Sequence, residues 1–118
     1  MKPKNPKFSL IGIADDQAVL SLGGRIGAMN GPKSFLKVWD KLNGKVTLKN
    51  FVFPMLEVDG LTADIKNNHI LASLCVKNAH LVSTRTIIIG GSHDHGYSHL
   101  LGVYDFLKTK LKRKPKIG

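Results

Sequence analysis

Apolar residues fall into segments of two kinds along the chain, short dense runs and longer stretches with helical spacing. Between Lys7 and Ile13, Phe8, Leu10, Ile11 and Ile13 crowd together and lead into Asp15-Asp16, which predicts a buried strand running into a loop. Gly23, Gly24, Arg25 and Gly27 follow, and the glycines there allow backbone shapes that other residues resist. Gly31-Pro32 then opens a helix, because proline at the first helical position loses nothing by lacking an N–H. Phe35, Val38, Trp39 and Leu42 form its apolar stripe, and Gly44 supplies the stop. Val46, Leu48, Phe51 and Phe53 predict a second extended segment ending at Pro54. A second helix is expected from Ala63 to about Val82, with Ile65, Leu71, Leu74, Cys75 and Val76 among its buried positions.

Thr86-Ile87-Ile88-Ile89 is β-branched throughout and apolar on both faces, as suits a central strand of a parallel sheet. Gly90-Gly91 ends it, and Tyr97, Leu100, Leu101, Tyr104, Leu107 and Leu111 mark a third helix. Strands alternating with helices through short glycine-rich turns predict an α/β fold, a three-layer αβα arrangement with a mainly parallel sheet. Residues 1–118 read as a single unit, since 118 residues suffice for one core and not for two.

Composition narrows the function classes. A hydrophobic fraction of 42% and a charged fraction of 22% are ordinary for a globular protein. No apolar run approaches the roughly 20 residues that span a bilayer, and the basic start has no apolar region behind it to make a signal peptide. No membrane partner is expected. The single cysteine, Cys75, fits a reducing cytoplasm and reads as core filler rather than nucleophile. The net charge of +10 raises nucleic-acid binding, but Lys2, Lys4 and Lys7 sit at one end and Lys108, Lys110, Lys112, Arg113, Lys114 and Lys116 at the other. Basic ends of that kind are usually solvated tails, and no nucleic-acid motif accompanies them.

The densest chemistry lies in Ile89-Gly90-Gly91-Ser92-His93-Asp94-His95-Gly96-Tyr97-Ser98-His99. Ligands of parallel α/β sheets bind beyond the carboxyl ends of the strands, where a double glycine lets the chain turn. His93 is therefore placed at the crevice, with Asp94 and His95 as further contributors. Imidazole and carboxylate together suit a divalent metal ion. His99 ranks lower, being already on the helix, and His69 and His80 read as helix-surface residues.

An apolar strand followed by Gly-Gly-x-His resembles the first metal-binding motif of the arginase, agmatinase and formimidoylglutamase family. The earlier chain agrees with it, through Gly-Gly-Arg-x-Gly at Gly23 to Gly27 and the helix start at Gly31-Pro32. Asp15-Asp16 and the His-Asp-His-Gly-Tyr wording look most like formimidoylglutamase-type members. The resemblance implies the N-terminal portion of an arginase-like α/β domain, with residues 108–118 a basic tail leading to a missing strand. It also implies that His93 ligates one of two Mn²⁺ ions that activate water to cleave C–N bonds of linear amidines. His95 carries no family role, since most members have an apolar residue there. The later motifs Asp-Ala-His-x-Asp and Asp-x-Asp-x-x-Asp do not occur, so no catalytic residue is assigned and the chain alone is expected to be inactive. Its incomplete sheet should favour a homo-oligomer. The alternative is a small interaction domain that binds an anion at the Gly-Gly-Ser-His turn, or nucleic acid through its lysines.

Overall fold

In a computed structural model that describes residues 8–43, 55–83 and 85–111, β1 (Phe8–Gly12) is the middle strand of the sheet. It pairs in parallel with β2 (Leu56–Glu57) on one side and with β3 (Arg85–Ile89) on the other. The register runs from Phe8 opposite Arg85 to Gly12 opposite Ile89. Helices cover both faces, so the sheet and its flanks form the expected three-layer α/β arrangement.

The place of β3 differs from expectation. Its apolar run predicts a central strand, yet among the described strands it lies at an edge, and Ile87 is 43% exposed. β1 takes the centre because Ser9 to Ile13 are buried on both faces. The extended segment expected over residues 46–53, the helix stop at Gly44 and the tail beyond Leu111 lie outside the described residues. The described β2 comes after Pro54, at Leu56–Glu57.

Four α-helices alternate with the strands among the described residues. α1 (Gln17–Ser21) is one short turn in what reads as a loop, and no side chain caps it. A 3-10 turn, Ala28–Asn30, leads into α2 (Gly31–Asn43), where Phe35 and Trp39 stack with centroids 5.6 Å apart. α3 (Ile65–Ala79) starts later than predicted because Asp64 accepts hydrogen bonds from the Lys66 and Asn67 N–H groups. α4 (His95–Leu111) starts earlier, taking His95 into its first turn and Lys108 and Lys110 into its last.

The core is Ile11, Ile13, Ala72, Val76 and Ala79, with Val58, Leu61, Cys75, Ile88 and Val103 packed around it. α3 and α4 meet at Gly102, where a Cβ would lie 2.6 Å from both the Ser73 carbonyl oxygen and Val76 Cβ. Leu74 departs from prediction, being 48% exposed. Burial raises the Cys75 thiol pKa and the nearby Asp59 charge adds to this, which disfavours the thiolate a nucleophile needs. No described helix is long and apolar enough to cross a membrane.

Gly31-Pro32 and Gly90-Gly91, distant in sequence, explain each other here. Gly90 and Gly91 both have φ +77°, the left-handed region that glycine tolerates. A Cβ on Gly90 would lie 2.3 Å from Pro32 Cδ, and one on Gly31 would lie 2.9 Å from Gly90 Cα. The start of α2 thus seats directly against the turn that ends β3.

Candidate functional site

Strand order brings the end of β1 beside the end of β3, so Asp15 and Asp16 face the turn at Gly90 to Asp94. The Ile13 N–H donates to the Ile89 carbonyl at 3.1 Å, and the Ser92 N–H donates to the Asp15 carbonyl at 3.1 Å. Both carboxylates are buried and committed. Asp16 accepts from the Gly27 and Met29 N–H groups, each at 2.8 Å, tying the glycine-rich loop to the sheet end. Asp15 accepts from the Gln17 N–H at 3.0 Å and pairs with His95 Nε2 at 2.7 Å. His95 Nδ1 bonds Ser98 Oγ at 3.0 Å, which engages both of its ring nitrogens.

His93, the residue singled out as metal ligand, is exposed in the turn just ahead of α4, and its carbonyl accepts from the Gly96 N–H. Asp94 points elsewhere, accepting a hydrogen bond from Ser92 Oγ and meeting His69 Nε2 at 2.5 Å. Burial pushes the Asp94 carboxyl pKa up. Hydrogen bonds from Ser92 and His69, with the His95 and His69 charges, outweigh it and hold the pKa below the usual range.

His69 reads as a helix-surface residue, yet it is half-buried and joins Asp94 and His95 in one cluster. One ligand atom from each lies within 4.8 Å of the others. Sequence reasoning missed His69 because its partner is 25 residues away. His93 is not in that cluster. Of the three residues nominated, His93 alone is exposed, while Asp94 and His95 have side-chain partners in the fold. The donor chemistry suits a divalent ion, and the described residues supply too few ligands for a two-ion bridge.

His80 and His99 form a second, separate pair. His80 Nε2 lies 3.1 Å and His99 Nε2 2.7 Å from Thr86 Oγ1, so one hydroxyl joins both rings to β3. His80 also packs against the Phe106 ring, so it too is not simply a surface residue. Burial lowers the pKa of both. The His99 charge lowers His80 further, and the Thr86 bond partly opposes the shift at His99.

Because these folded-state pKa values lie below the ordinary 6.5, the unfolded chain binds protons first as pH falls. Stability contributed by the neutral rings is present above that value and is lost as pH falls toward the folded values. Asp94 adds a loss in a lower window, beneath its ordinary 3.8. The urea midpoint is therefore expected to drop between pH 7.5 and 5, and His99→Gln should flatten that drop. A wild-type midpoint that is level or rises over this range would contradict it.

No family model and no solved structure matches the chain. Curated relatives do match. A formimidoylglutamase of Streptococcus gordonii is 30% identical over 119 aligned residues, covering 100% of this chain and 35% of the relative. One from Salmonella newport is 30% identical over 105 residues, covering 84% and 31%. One from Streptococcus pyogenes serotype M3 is 26% identical over 102 residues, covering 86% and 31%. The chain therefore spans about a third of the length of the relatives it matches. With the Gly-Gly-x-His turn standing where β3 ends and the likeness running through the whole sequence, the chain belongs to the formimidoylglutamase family.

Proposed function

We propose that the chain is the N-terminal portion of a binuclear-manganese hydrolase acting on C–N bonds of linear amidines, guanidino or formimidoyl compounds. In this reading it contributes His93 as a ligand. One observation supports the reading most directly: an exposed imidazole sits past two left-handed glycines at the carboxyl end of β3, in a chain alignable throughout with a formimidoylglutamase. Manganese, when bound, supplies Lewis acidity that makes water nucleophilic near neutral pH.

The chain's own residues fix where His93 stands. The Ser92 N–H is held by the Asp15 carbonyl, and His95 is held by the Asp15 carboxylate, so the turn carrying His93 is clamped on both sides. A Cβ on Gly91 would lie 3.0 Å from His95 Cδ2 and 3.2 Å from the Ile13 carbonyl oxygen, so the turn sits close against both. Support of this kind orients a ligand before the ion arrives. A single imidazole gives a divalent ion little beyond one bond, so the chain by itself is expected to bind Mn²⁺ weakly and to hydrolyse nothing.

An NMR titration with Mn²⁺ tests this, with His69→Gln introduced throughout so that the neighbouring cluster does not contribute. The His93 ring signals should broaden first, with weak affinity, and the weak site should vanish when His93→Ala is added. Tight stoichiometric Mn²⁺ binding that survives His93→Ala would show that the ligand has been misplaced.

A further inference from the structure

We propose that His69, Asp94 and His95 form a separate site for one first-row transition-metal ion of the zinc type, independent of His93. The three residues come from different segments: His69 from α3, Asp94 from the turn after β3, and His95 from the first turn of α4. Their candidate ligand atoms lie within 4.8 Å of one another. Asp94 Oδ2 is 2.5 Å from His69 Nε2 and 4.0 Å from His95 Nε2, so one carboxylate oxygen lies near both imidazoles, whose rings meet edge to face with centroids 5.4 Å apart.

Charge points the same way. Asp15 brings a second carboxylate to His95 in a nearly dry space, their side chains 2% and 1% exposed, while Asp94 is 18% exposed at the rim. Buried carboxylates need nearby positive charge. A divalent cation held by the two imidazoles supplies it directly. Ser98 Oγ bonds His95 Nδ1 at 3.0 Å, the contact that directs Nε2 toward an ion. Asp15 Oδ2, 2.7 Å from that Nε2, adds a fourth donor or a hydrogen-bonding neighbour.

Two imidazoles and a carboxylate match the three-ligand sets with which zinc keeps one position open. They rank manganese low, because affinity of nitrogen-containing sites rises along the first row toward copper and zinc. His69 and Asp94 are each 18% exposed at the side chain, so an ion can reach the cluster from solvent. The site therefore differs from the manganese ligand proposed above in ligands, burial and preferred metal.

Titration of the metal-free chain with Co²⁺, read by its visible absorption, and competition with Zn²⁺ test the proposal. One equivalent should bind. His69→Gln and Asp94→Asn should each weaken binding by at least roughly 100-fold, while His93→Ala leaves it within about twofold. His69 reaches solvent, with 18% of its side chain exposed, and Asp94→Asn preserves shape, so circular dichroism should show both variants folded. Absence of saturable binding, unchanged affinity in folded His69→Gln, or loss of binding in His93→Ala would each overturn the site. Because His93→Ala should spare this site and abolish the weak manganese site, failure of one proposal is distinguishable from failure of the other.

Discussion

Gly90→Ala is expected to destabilise the chain by about 2–6 kcal/mol, a large share of the total stability of a typical domain. Two separate costs combine there. A side chain at φ +77° meets left-handed strain, about 1–3 kcal/mol. The new methyl would also lie 2.3 Å from Pro32 Cδ and 3.1 Å from the Pro32 nitrogen. The proline ring is rigid and opens α2, so relief requires moving the helix start away from the sheet. Overpacking of a tight contact adds about 1–3 kcal/mol more. Gly96→Ala is the control, since nothing lies within 4 Å of its added methyl and the position is helical. It should be neutral or slightly stabilising. Urea denaturation compares the two, and a Gly90→Ala loss under 1 kcal/mol would show that the packing of Pro32 on this turn is looser than described.

That contact also shows what the sequence makes legible. Gly31-Pro32 reads correctly as a helix start and Gly90-Gly91 as a sharp turn, because both follow from local backbone preference. That each glycine exists to admit the other segment is a contact across 59 positions, and no local pattern records it. The β3 run is similar. Four β-branched residues fix its conformation, but which strands flank it depends on how β1 and β2 arrive, and β1 takes the middle of the described sheet. α1 escapes a pattern reading because five residues with no side-chain cap give too little period to detect. In the site, Ser92 to His95 stand out by composition, and the likeness to formimidoylglutamases is carried by wording along the chain. His69 does not stand out, and Asp15-Asp16 stands out only as part of that wording, with no role assigned to it. Helical spacing marks His69 as surface, and only folding brings it to Asp94. The two aspartates look like the hydrophilic end of a strand until their carboxylates meet amides and an imidazole from three other segments.

Asp15→Ala is the second substitution with a large expected effect, about 3 kcal/mol, because it removes one partner from a buried pair and leaves the other behind. The Asp15 carboxylate reaches His95, 80 residues further along, at 2.7 Å, and both side chains are nearly inaccessible to water. Without it, His95 Nε2 has no water to replace the lost bond, and the Gln17 N–H loses its acceptor at the start of α1. A buried group left unsatisfied costs about 1–3 kcal/mol, and more if it is charged. Asp15→Asn should cost less, since its carbonyl oxygen still accepts from Gln17 and its amide remains beside His95. Ordering alanine below asparagine separates loss of the hydrogen bonds from loss of charge alone. His95→Gln, combined with Asp15→Ala, should cost less than the sum of the two single changes, with a coupling of about 1–3 kcal/mol for residues in direct contact. The effect also extends beyond stability. The same residue's carbonyl holds Ser92, so loosening the end of β1 should free the turn that presents His93. Amide hydrogen exchange at Ser92 to His95 is therefore expected to speed up in Asp15→Ala more than exchange at Ile11 in β1. Strictly additive energies, or equal acceleration at both places, would mean that Asp15 supports the domain in general and not this turn in particular.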